Sequence, residues 1–133
     1  MDRRRIITLL SVARVGVGTV LLLAPRSMGR NWVGTVAEDR RAALVIRGFG
    51  ARDLALGLGT LRALARDEPI EGWVQMAAAG DASDAVTGLI AASSVGPLRT
   101  VPTVLSATAA AALGLWTLRP DRTAPAAVEP RTD

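Results

Sequence analysis

Uncharged or nearly uncharged runs recur four times along the 133-residue chain, over 6–24, 42–65, 73–95 and 101–118. Each holds 18 to 24 residues, and about 20 are needed for a helix to cross ~30 Å of hydrocarbon. Between them lie a polar loop of 17 residues from Pro25 to Arg41, a charged turn from Arg66 to Gly72 containing Pro69, and a Gly-Pro break at Gly96–Thr100. These are the punctuation that separates helices. From Arg119 the composition shifts to Pro120, Pro125 and Pro130 among Ala, Thr and charges, which predicts a disordered cytoplasmic tail over 119–133.

The pattern predicts an all-α fold: a four-helix transmembrane bundle over 1–118, up-down-up-down, multi-pass in the cell membrane. A soluble helical bundle is the alternative, but the fourth run, VPTVLSATAAAALGLWTL, has no charged face at any helical phase. A cleaved leader is the alternative for the first run. Arg14 interrupts that run, and LLLAPRS offers no small-x-small cleavage site.

Arginines outside the runs set an expected orientation. With the N-terminus inside, Arg3, Arg4, Arg5, Arg62, Arg66, Arg119, Arg122 and Arg131 lie in the cytoplasm, against Arg26, Arg30, Arg40, Arg41 and Arg99 outside. Eight against five favours both termini cytoplasmic. Trp73 and Trp116 then share the inner interface and Trp32 takes the outer one.

Composition narrows the chemistry. There is no Cys, His or Tyr, so thiolate catalysis, Cys or His zinc sites, a haem histidine and a Ser-His-Asp triad are absent. Neither a metal site, a cofactor nor a catalytic residue is expected. The net charge of +4 is small and scattered, and only four residues are aromatic, so no nucleic-acid surface is expected.

The stretch Gly48–Gly59, GFGARDLALGLG, has the glycines of a phosphate loop. Yet Asp53 occupies the third glycine position, where it would repel phosphate, and AALVIR before it continues the same helix rather than a strand. Glycines within an apolar helix serve instead for close helix contact.

The charges inside the runs need their own account, because an Arg or Asp near the centre of a membrane helix costs about 2.5–3.5 kcal/mol on insertion scales. Neighbours in a helix point about 100° apart, so Arg52 and Asp53 are expected to seek partners on other helices rather than each other. Arg14 in the first run and Asp81 and Asp84 in the third are placed to serve. Counting Arg47 as well gives three arginines, three aspartates and a formal sum of zero. Arg47 lies off centre, peripheral to the layer, and is expected to reach the outer surface.

The spacing repeats in each charged run: Ser11, Arg14, Gly18; Gly50, Asp53, Gly57; Asp81, Asp84, Gly88. Offsets of three and four keep each trio on one helix face. A single polar layer is therefore expected, Arg14 and Arg52 against Asp53, Asp81 and Asp84, with Gly18, Gly50, Gly57 and Gly88 as helix contacts. Such a layer either fixes helix register or does chemistry. Asp81 and Asp84 at i, i+3 disfavour joint ionisation, so one could hold a proton unless the arginines claim both.

With Arg47-Gly48-Phe49-Gly50-Ala51-Arg52-Asp53-Leu54-Ala55-Leu56-Gly57 and Gly80-Asp81-Ala82-Ser83-Asp84 in view, the chain resembles the small four-span bacterial membrane proteins of unknown function that carry R-x-x-G-x-R-D-x-x-L-G and an Asp-bearing third helix. That resemblance covers all but the tail and implies a membrane bundle without supplying an activity. More distantly the chain resembles DoxX-like four-helix membrane proteins, some of them subunits of quinone-linked oxidoreductases, although none of their redox motifs carries over. Three functions are compatible with these residues. The first is a structural or accessory subunit that self-associates or binds a membrane partner; the second is a small proton-coupled transporter using Asp81 and Asp84; the third is a membrane enzyme built on carboxylates alone.

Overall fold

The computed structural model describes residues 2–120, so the tail expectation falls, from residue 121 onward, outside the described residues. The fold is all-α: α1 Arg3–Leu23, α2 Pro25–Val33, a 3-10 turn Gly34–Glu38, α3 Arg40–Ala65, α4 Glu71–Val95 and α5 Pro97–Thr117. The helix ends follow from local chemistry. Asp2 caps α1 by accepting from the Arg4 amide, and Asp39 caps α3 by accepting from the Arg41 amide. Pro25 and Pro97 open α2 and α5 at their first turns, where a missing N–H removes no helical bond. Gly34 at φ 71° and Gly96 at φ 95° end α2 and α4 in the left-handed region that suits glycine.

The expected polar loop over Pro25–Arg41 is a correction: most of it is helix. Its apolar residues Pro25, Met28 and Trp32 fall at offsets of three and seven, with Gly29 beside them, so α2 has one face to bury despite its polar composition. That face closes the Leu21, Ala37 and Ile46 cluster, with Met28, Val33 and Phe49 against it. A Cβ on Gly29 would lie 2.5 Å from Ile46 Cδ1, which is how closely α2 sits on α3.

The long helices form two antiparallel pairs, α1 with α3 and α4 with α5. The α1/α3 seam is backbone on backbone. A Cβ on Gly18 would stand 2.7 Å from the Gly50 carbonyl oxygen, one on Gly50 2.8 Å from that of Gly18, and one on Gly57 2.8 Å from that of Ser11. Gly88 likewise admits Val104 of α5. At one end the pairs meet through Ile7, Leu64 and Val74, with Ile70 and Leu118 packed against them. Arg4 secures that end by donating to the Leu64 carbonyl at 2.6 Å and to Asp67 at 3.1 Å.

Polarity is distributed against the usual soluble order. The buried side chains are mostly Ala and Ile, with Ser11 and Thr60 near Asp81, whereas Leu23, Leu44, Ile90 (74% exposed) and Leu98 (93%) face outward. By length and composition α1 and α5 could each cross a membrane. The other two long helices carry Arg47, Arg52 and Asp53, or Asp81 and Asp84, and those charges lower their hydropathy.

Candidate functional site: a chain of ion pairs under a cavity

The inward face of each charged helix can be followed residue by residue. On α1 it is Ile7, Ser11, Arg14, Gly18 and Leu21; on α3 it is Ile46, Gly50, Asp53, Gly57, Thr60 and Leu64; on α4 it is Val74, Ala78, Asp81, Ala85 and Gly88. All step by three and four, so Arg14, Asp53 and Asp81 occupy positions that would otherwise be core. Packing of these faces brings the three together. Arg14 Nη1 donates to Asp53 Oδ1 at 3.2 Å, and Arg14 Nη2 to Asp81 Oδ2 at 2.5 Å. Arg14 and Asp81 are only 11% and 10% exposed at their side chains.

Arg52 extends the chain. Its Nη1 and Nη2 grip Asp84 Oδ1 and Oδ2 at 3.0 and 2.6 Å, a bidentate pair, while Nε and Nη2 also donate to Asp53 Oδ1 at 3.2 and 3.0 Å. The expectation that Arg52 and Asp53 avoid each other is therefore corrected. Their Cα–Cβ bonds diverge, but the arginine stem is long enough to curl back and carry its planar fork to the neighbouring carboxylate. The stem also places the guanidinium 5.4 Å from the Phe49 ring centroid, and Phe49 meets Trp32 edge to face at 5.4 Å.

The result is one continuous series, Asp81–Arg14–Asp53–Arg52–Asp84, running from α4 through α1 and α3 and back to α4. It joins the same five side chains that the sequence pattern singles out. Arg47 is not among them: its Nε donates to the Leu22 carbonyl at the end of α1, at 3.2 Å, and its side chain is exposed. The series itself holds two arginines and three aspartates and carries a formal charge of −1; the sum reaches zero only with the peripheral Arg47 counted.

Two of its oxygens stay free of protein donors. Asp53 Oδ2 and Asp81 Oδ1 accept no hydrogen bond from a described residue, and among the described residues no enclosed side-chain nitrogen or oxygen lacks a partner, so both oxygens touch open space. Two such spaces lie beside the series. A small one of about 30 Å³ lies beside Ser11, Arg14, Thr60 and Asp81, room for one water among polar partners. A larger cavity of about 620 Å³, open to the surface past Val17, Leu98 and Pro102, lies between α1 and α5 beneath α2. Arg14, Arg52, Asp53, Asp81 and Asp84 line its polar side, Leu10, Val17, Leu21, Phe49 and Pro102 its apolar wall, and Asn31, Trp32 and Arg99 its rim.

Sequence reasoning missed the cavity, together with Phe49, Trp32, Asn31 and Arg99 around it. The signal was faint but present: the amphipathic spacing of α2, and Pro102 inside α5, which leaves the Leu98 carbonyl without its helical donor beside the same cavity. Among the described residues no group of three His, Cys, Asp or Glu side chains could hold a metal ion. No family model, curated protein or solved structure matches the chain.

Proposed function

We propose that this is a small integral membrane protein of the four-span bacterial type its motif resembles, a structural or accessory subunit in which the ion-pair series fastens two helical hairpins. In this reading α1, α3, α4 and α5 span the bilayer with both termini cytoplasmic, and lipid covers the outward Leu, Val and Ile side chains. The observation that carries the function is that each carboxylate of the series is held by a guanidinium, Asp81 by Arg14, Asp84 by Arg52 and Asp53 by both. A closed set of this kind specifies how helices assemble, and removing one member leaves an uncompensated charge. Arg3 over Trp116 at 5.5 Å, at the end assigned to the cytoplasm, suits an aromatic interface.

The test is purification from detergent-solubilised membranes. Asp84→Asn is expected to lower abundance, and capture of a stoichiometric membrane partner or a self-assembly, in step with any phenotype. A variant that assembles normally yet loses function counts against a fastening role.

A second reading, a proton-coupled transporter, is favoured by one observation: the series has one carboxylate more than it has guanidiniums, beside a cavity. Purified protein in liposomes should then carry protons, and Asp81→Asn should stop it. Flux unchanged in that variant rejects this reading.

A further inference from the structure

The larger cavity has an apolar wall that neither reading uses. Its volume of about 620 Å³ lies within the roughly 300–1,000 Å³ of small-molecule pockets, which are apolar with a few convergent polar groups. We propose that this cavity binds a lipophilic organic monocation, an apolar body bearing one delocalised or shielded positive charge. The apolar body is matched by Val17, Leu21 and Pro102, with the Phe49 and Trp32 rings beside them.

Charge selects the sign. Both guanidiniums of the series are engaged by carboxylates, so neither is free to recruit an anion. The surplus charge is negative, and Asp53 and Asp81 each keep an oxygen without a donor. The apolar body of the ligand, once seated, displaces water from beside that surplus and strengthens its attraction for the cation. Arg99 at the rim opposes a cation, but it is exposed, where solvent and salt screen it. An inorganic ion is not matched, because most of the wall offers carbon rather than the oxygen ligands such an ion requires.

The proposal requires neither assembly nor proton flux, so it stands apart from both readings above. Its test is calorimetric titration of the detergent-purified full chain with tetraphenylphosphonium and, separately, with tetraphenylborate, an ion of matching shape and opposite charge. Tetraphenylphosphonium is expected to bind at least about tenfold more tightly, a difference of about 1.4 kcal/mol. Equal affinities, or preference for the borate, overturn the proposal.

Asp53→Asn leaves two arginines facing two aspartates and should erase that preference. Ala107→Phe, on α5 at the cavity wall and outside the ion-pair series, should abolish binding of the phosphonium whether or not the first variant folds. Full binding retained in Ala107→Phe would place the cation elsewhere and overturn the assignment.

Discussion

The two ends of the helical bundle are built differently. At one end Ile7, Leu64 and Val74 close on one another, and Arg4 clamps the chain termini of α1 and α3. At the other, α1 and α5 stand apart around a cavity of about 620 Å³ roofed by α2. The ion-pair series lies where the closed end gives way to the open one. At the closed end apolar side chains join the two hairpins; at the other the Leu21, Ala37 and Ile46 cluster packs α1, the 3-10 turn and α3, and the charged series supplies the tie to α4.

The strongest way to break this contrast is to cut the series. Arg14→Leu leaves Asp53 with Arg52 alone and Asp81 with no partner, and should cost about 3–5 kcal/mol. Thermal unfolding in detergent, followed by circular dichroism, measures it. An unchanged midpoint would mean that the helices do not depend on the series.

Next in size is the closed end itself. Ile7→Ala should lose about 2–4 kcal/mol, within the range for deleting a buried isoleucine side chain. The same substitution at Val17, on the cavity wall, should lose clearly less, and equal losses would erase the difference between the ends. Gly18→Ala tests the seam between α1 and α3. The added methyl meets backbone, which cannot rotate away, and about 1–3 kcal/mol of strain is expected. A mild result would show that the two helices can separate without penalty. The smallest effect belongs to Arg30→Gln. Arg30 and Glu38 are 3.0 Å apart, as close as members of the buried series, yet both are exposed, so the change should be within about 1 kcal/mol. A large loss there would make burial irrelevant to what the ion pairs contribute.

Much of the framework is legible in the sequence because it is local. Pro25 and the Gly96–Pro97 break mark helix ends through backbone chemistry that needs no tertiary context. The positions of Arg14, Asp53 and Asp81 are legible for a related reason: offsets of three and four place them on the faces that also carry the contact glycines.

What stayed hidden depends on reach and on space. The curl of Arg52 onto Asp53 depends on the torsions of a flexible stem, and the departure of Arg47 on the nearby Leu22 carbonyl at the end of α1. Neither follows from helical phase. The cavity is a gap between helices far apart in sequence, so no run of residues announces it. α2 is hard to see because its period rests on three apolar positions in nine residues, set among Arg, Ser and Asn and opened by a proline that also reads as a loop.

The contact between Arg52 and Asp53 has a consequence for the order in which the molecule is made. Synthesis delivers α1 and α3 before α4, so for an interval neither Asp81 nor Asp84 exists. During that interval Arg52 already has a carboxylate from its own helix, 3.0 Å away in the finished fold, and Asp53 can also receive Arg14. The N-terminal hairpin thus waits with most of its inward charge satisfied, one positive charge in excess, for a helix that brings two negative ones. α4 then supplies Asp81 to Arg14 and Asp84 to Arg52, turning that excess into the formal charge of −1 of the finished series.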